Sequence, residues 1–300
     1  MSTNTHSVHP GDSNRITREY FDSLLIEMRH IDAVLPDTTF SLYGETFKTP
    51  VMTAALSHLN GCHPDGMVEL ARGAKAADAV MWAGMGDEDE LEGITATGAK
   101  TIKIIKPYAD NNDIFKKIAH AEKCGCIAVG IDTDHAFCNR GQYDVVLGLK
   151  MTGKSLDEIK QFVKATKLPF IIKGVLSTTD AIKCMDAGIQ GIVVSHHHGI
   201  MDFAVPPLMV LPEIVETING AMPIFVDCGV ENGYDVFKSI ALGATAVSVG
   251  RALMGPLTEN AAPGVATKIN DITAELKGVM ARTCCHNIKD INRSLLRTHR

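Results

Sequence analysis

Eight short, β-branched apolar runs recur beyond residue 50, at 51–54, 79–83, 101–106, 127–132, 169–174, 191–195, 223–227 and 245–250. Continuous apolar stretches such as Ile192-Val-Val194 suit parallel strands buried on both faces. Helical patterns lie between them. Ser155-Leu-Asp-Glu158 is a capping box ahead of Ile159, Phe162 and Val163. Thr179-Asp180 opens a helix that stops at Gly188, and Asn232-Gly233 precedes Val236, Phe237 and Ile240 before a stop at Gly243. This alternation predicts an α/β fold, a (β/α)8 TIM barrel rather than a doubly wound sheet. With no low-complexity linker, residues 1–300 read as one domain. Residues 1–49 form a short N-terminal extension, 50–257 the barrel core, and 258–300 a C-terminal helical segment with a closing helix over 271–282.

Composition narrows the partners. The chain is 45% hydrophobic with a net charge of −6, which argues against nucleic-acid or anionic-membrane binding, because a phosphate surface needs excess cations. The opening residues have no apolar signal-peptide core, and no run reaches a membrane-spanning length. Eight cysteines include Cys124-Gly-Cys126 and Cys284-Cys285, neither at zinc-ribbon spacing, so they read as reduced thiols. The expectation is a soluble, cytoplasmic protein with a small-molecule substrate and no metal.

In this fold chemistry collects at the C-terminal strand ends. Here those ends are Ala54, Gly84, Lys106, Asp132, Lys173, His197, Asp227 and Gly250-Arg251. Charged groups are costly inside strands, so their gathering at one rim predicts a polar site above an apolar barrel. Lys173 is placed to neutralise developing negative charge. One histidine of Ser195-His-His-His-Gly199 fits a general base, and Asp132 fits the group that orients it, although Asp132-Thr-Asp134 also reads as a turn cap. Gly250-Arg251 suits a phosphate, with backbone amides in reach and a guanidinium fork beside them.

Together these residues resemble the FMN-dependent α-hydroxy-acid oxidase and dehydrogenase family, which includes glycolate and lactate oxidases. The resemblance runs in order through Ile172-Lys-Gly-Val175, Ala187-Gly-Ile-Gln-Gly-Ile-Val-Val-Ser195, Val210-Leu-Pro-Glu-Ile214, Phe225-Val-Asp-Cys-Gly229, Ala241-Leu-Gly-Ala244 and Val249-Gly-Arg251. It implies FMN at the barrel rim, with Ala54, Ala55, Lys173, Ser195, Asp227, Gly229, Gly250 and Arg251 binding it. By the same resemblance Lys173 stabilises the reduced ring, His197 is the base, Asp132 pairs with it, and Arg140 meets substrate. A homo-oligomer, often a tetramer in the family, is also implied.

The departures fall on the substrate and phosphate sides. The family writes Ser-Asn-His-Gly-x-Arg, and Ile200 stands where that Arg clamps a carboxylate. A charge-assisted pair is worth about 1.5–3 kcal/mol, so its loss weakens binding about ten- to a hundredfold unless replaced. Lys106, where the family usually has Tyr, and Arg140 are the candidate replacements. In the family's Asp-Gly-Gly-Val-Arg, Cys228 and Glu231 replace the second and last residues, and Gly130 replaces a flavin-contacting Thr. The expected activity is oxidation of a small (L-)2-hydroxy acid, or a related α-hydroxy carbonyl compound, to the 2-oxo product. The alternatives are an FMN-dependent isomerase of the type 2 isopentenyl-diphosphate kind and a non-catalytic flavin- or phosphate-binding barrel.

Overall fold

The computed structural model describes residues 9–299, so the first eight residues of the extension and Arg300 lie outside the described residues. All eight apolar runs become parallel strands: β1 (Val51–Thr53), β2 (Met81–Ala83), β3 (Thr101–Ile105), β4 (Ala128–Asp132), β5 (Phe170–Val175), β6 (Ile192–Val194), β7 (Ile224–Val226) and β8 (Ala246–Val249). From β2 to β8 each strand pairs with its sequence neighbour, and β8 pairs with β1 through Val247↔Val51. The seam between β1 and β2 closes at Thr53 N to Val80 O (3.1 Å) and Gly84 N to Leu56 O (2.9 Å). The sheet is thus the expected barrel.

Helix α1 (Ser13–Ser23) precedes the barrel. The strands alternate with α2 (Gly66–Ala76), α3 (Glu88–Ala96), α4 (Asn111–Lys123), α5 (Leu156–Lys164), α6 (Thr178–Asp186), α7 (Pro207–Ile218) and α8 (Gly233–Ala241). The Ser155–Glu158 capping box forms as read, and Asn232 caps α8 by accepting from Asp235 N. Helix α6 starts slightly earlier than expected, because Ser177 is its cap and accepts from Asp180 N. Helix α9 (Met254–Ala281) is much longer than the expected 271–282. Its first turns carry Gly255, Pro256, Pro263 and Gly264, residues that read as breakers, and the helix does bend at Asn260–Ala261. Those turns pack tightly on α2, where a Cβ at Gly73 would lie 2.5 Å from Val265 Cβ and 2.8 Å from the Ala262 carbonyl oxygen.

The extension serves both barrel ends. A hairpin, Phe40–Leu42 with Glu45–Phe47, covers the N-terminal mouth. There the Tyr43 hydroxyl donates to the Gln190 carbonyl (2.8 Å) and Lys48 N to Asp78 O (3.2 Å), just ahead of β6 and β2. Helix α1 is tied to α8 by a bidentate Arg18–Asp235 pair (2.8 and 2.9 Å). The long connection between β4 and β5 holds a 3-10 turn, Asp134–Ala136, and a small hairpin, Val145–Val146 with Leu149–Lys150, and reaches the C-terminal rim.

Candidate active site

The strand-end charges form one buried cluster. Lys106 Nζ lies 2.8 Å from Asp132 Oδ2. Lys173 Nζ, on β5, stands 4.0, 3.7 and 3.9 Å from carboxylate oxygens of Asp132, Asp134 and Asp227. Burial opposes its charge, but the three carboxylates outweigh burial and hold its pKa above the ordinary lysine value. His197 Nδ1 sits 2.6 Å from Asp134 Oδ1 and 3.3 Å from Asp132 Oδ2. Burial and Lys173 push this imidazole down, yet the two aspartates prevail and its pKa stands above the usual histidine value. Burial would raise Asp132, but Lys173, Asp134 and His197 hold it well below the carboxylate range. Asp134 goes the other way, pushed up to about 6 by burial and by the charge of Asp132.

This geometry corrects three expectations. Lys106 is not free to clamp a substrate, because Asp132 takes its ammonium. Arg140 is exposed in the Cys138–Gly141 turn and does not line the rim cavity, since the β4–β5 connection carries it outward. Asp132 does face His197 Nδ1, at 3.3 Å, with Asp134 nearer still at 2.6 Å. Ser195 does not line the cavity either. It is buried, and its hydroxyl accepts the His197 amide (3.0 Å), bracing the turn instead.

The three consecutive histidines have three separate environments. His196 ties α1 to the barrel: Nε2 meets Thr17 Oγ1 (2.7 Å) and Nδ1 accepts the Gly199 amide (2.9 Å). His197 enters the charge cluster. His198 lies on the cavity wall, its pKa pushed down to about 4 by burial and by Arg251. His198 and Cys228 stand where the family motifs write Gly, and both keep the left-handed backbone (φ 57° and 70°) that glycine adopts freely. Such conformations cost about 1–3 kcal/mol each and persist where surrounding contacts fix them. At Cys228 those contacts are its thiol to Asp227 Oδ1 (2.9 Å) and the His198 amide to its sulfur (3.3 Å).

Beside the cluster opens a cavity of about 700 Å³, a size that holds a cofactor. Ala54, Ala55, Lys173, His197, Asp227, Gly229, Gly250 and Arg251 all line it, so the structure brings those expected residues together. It adds Asn232 and, from α9, Lys268. Among the described residues neither Arg251 nor Lys268 enters an ion pair, which leaves two cations available to a phosphate. Glu231 also lines the cavity and opposes an anion, whereas the other lining carboxylate, Asp227, stands 3.9 Å from the Lys173 ammonium. Asp132, Asp134 and His197 come as close together as metal ligands do, but Lys106 and Lys173 already supply the positive charge that a cation would bring.

Sequence reasoning missed Asp134, His135, Asp144 and Lys268. The Asp132-Thr-Asp134 string carried a signal for the first, which the turn-cap reading absorbed. Lys268 lies a long way past the last strand. Lys103 breaks the rule that strand interiors exclude charge: it is buried within β3, donates to the Gly84 carbonyl, and burial lowers its pKa to about 8.

A barrel with a cation-flanked cavity at its C-terminal rim, and an imidazole–carboxylate group on that cavity's wall, defines a cofactor-binding α/β-barrel enzyme. The FMN-dependent dehydrogenase family matches residues 6–155 and 149–298, and the chain belongs to that family. It is similar to glycolate oxidase of Spinacia oleracea (28% identical, over 92% of this chain and 85% of that one). L-lactate oxidase of a Roseobacter species is likewise 28% identical, over 86% and 79%. Among solved structures, a mandelate oxidase variant holding a monooxide FMN adduct superposes with a TM-score of 0.88 at 28% identity, covering 97% of this chain and 92% of that one.

Proposed function

We propose that this protein oxidises a small 2-hydroxy acid to the 2-oxo acid, using FMN held at the barrel rim. The observation that carries this is His197. Its Nδ1 is held among Asp134, Asp132 and the Lys173 ammonium while the residue lines the same cavity as Lys173, so Nε2, which meets only the His135 ring, is the acid–base atom. The cavity fits the cofactor: Arg251 and Lys268 would meet its phosphate with the backbones at Gly229 and Gly250, and Lys173 would face its ring. Bound FMN supplies the two-electron acceptor. His197 Nε2 takes the substrate hydroxyl proton, and the aspartates at Nδ1 fix its tautomer and stabilise the imidazolium.

The substrate side differs from that of the relatives. Ile200 replaces their carboxylate clamp, and neither Lys106 nor Arg140 takes over. The structure therefore supports a substrate held through its hydroxyl and its shape more than through a guanidinium. Anaerobic addition of a panel of 2-hydroxy acids to the FMN-loaded protein should bleach the flavin, and His197→Ala should abolish bleaching with flavin still bound. FMN binding without bleaching across the panel would refute the reading. The proposal also takes in a single FMN-binding domain working in the cytoplasm, supported by eight unpaired cysteines, and a homo-oligomer, which sedimentation would test.

A further inference from the structure

The β4–β5 connection brings a second imidazole to the same atom. His135 Nε2 lies 3.1 Å from His197 Nε2, the rings meeting edge-on at 83°, and His135 Nδ1 lies 2.9 Å from Asp144 Oδ2. Asp134 Oδ1 at 2.6 Å is nearer to His197 Nδ1 than the Lys173 ammonium at 3.0 Å, and carboxylates only accept, so each Nδ1 carries a proton, toward Asp144 and toward Asp134. The line between the two Nε2 atoms then holds a single proton. The surrounding charges decide which ring keeps it. His197 faces Asp132 and Asp134 from β4 and its loop and Lys173 from β5, with Asp227 and Cys228 of the β7 end behind Lys173. His135 faces Asp144 and lies within the fields of Lys106, Asp132 and His197. Burial, Lys106 and His197 lower His135, whereas His197 is raised, so the shared proton rests on His197.

A base that rests protonated cannot accept, and it needs an outlet. We infer that His135, backed by Asp144, is that outlet: a proton-relay residue acting through His197. This rests on the oxidation reading above. Nε2 has a single in-plane lone pair, so the substrate hydroxyl and His135 use it in turn. In each turnover the substrate O–H proton goes to an unprotonated His197 Nε2, and the α-hydrogen would leave with the C–H electron pair to FMN. Once the product has left, that proton passes from His197 Nε2 to His135 Nε2. The His135 imidazolium, stabilised by Asp144, releases it to water, to which the two side chains stay 23% and 22% open. His197 Nε2 is thereby free for the next substrate.

The test uses the FMN-loaded protein and two readouts. Imidazole ¹⁵N titration from pH 5 to 9 should show His197 and His135 as a coupled pair, one step above and one below the ordinary histidine value. In His135→Gln a single His197 step should remain, moved downward by half a unit or more. A His197 midpoint unchanged by His135→Gln overturns the relay. For anaerobic flavin reduction at pH 6.5, His135→Ala should be slowed about tenfold or more and partly rescued by added imidazole, and Asp144→Asn should slow it in the same direction. Slowing without imidazole rescue would make His135 merely structural and also overturn the relay. If no acid bleaches the wild-type flavin, the oxidation reading falls, and the titration alone still decides the imidazole pairing.

Discussion

Replacing Lys106 with Met separates the two roles open to that lysine. The rim cluster carries Lys106, Lys173 and protonated His197 against Asp132, Asp134 and Asp227, three charges of each sign when every aspartate is ionised. Lys106→Met keeps the stem and removes one positive charge. The cheapest repair is a proton on Asp134, already pushed up to about 6 by burial and Asp132. A group whose folded pKa is raised loses its stabilising contribution as pH rises through that value. In the variant Asp134 stays protonated higher still, so its native state binds one more proton than wild type above pH 6. The destabilisation is then about 1 kcal/mol or less at pH 6 and grows by about 1.4 kcal/mol per pH unit, reaching about 3 kcal/mol at pH 8. That is the low end of what breaking a buried pair costs. Urea midpoints of both proteins at pH 6, 7 and 8, with FMN fixed and saturating, read it directly. A pH-independent loss would refute the charge count. Unchanged stability with a ten- to hundredfold rise in KM would return Lys106 to the role of substrate clamp.

Three further outcomes follow from the same geometry. His197→Ala should slow anaerobic flavin reduction about 10²–10⁴-fold with FMN still bound; wild-type-like bleaching would remove His197 as the base. Arg251→Met and Lys268→Met should each weaken FMN binding about ten- to a hundredfold, and Glu231→Gln should tighten it, as flavin fluorescence quenching reports. An unchanged dissociation constant in Lys268→Met would place the phosphate elsewhere. Arg18→Met strands the buried Asp235 carboxylate and should cost about 3 kcal/mol by urea midpoint; no shift would show that the α1–α8 tie contributes nothing.

The strands were legible because a parallel strand covered on both faces must be continuously apolar, and eight such runs admit few folds. Lys173, His197 and Asp227 were legible for the converse reason: a charge ending an apolar run marks the rim. The side-chain pairings were not. Asp134 lies 63 residues from His197, and nothing local separates an aspartate that meets a distant imidazole from one that caps a turn. A Cβ at Gly174 would lie 2.7 Å from Asp134 Oδ2, so the chain keeps a glycine at the β5 end, at φ 99°, to admit that carboxylate. The same placement explains Lys106. It stands where the resembling family has a neutral Tyr, and so adds one positive charge to a closed, poorly solvated rim. Such a charge persists only with a carboxylate to meet it, and Lys106 takes Asp132 for that purpose. Asp134 then stands in as the nearer partner of His197. The two positions form one arrangement, and neutralising either alone should leave the cluster off balance by a unit charge. Lys106→Tyr should therefore behave like Lys106→Met, and Asp134→Asn in the Lys106→Tyr background should recover stability at pH 8.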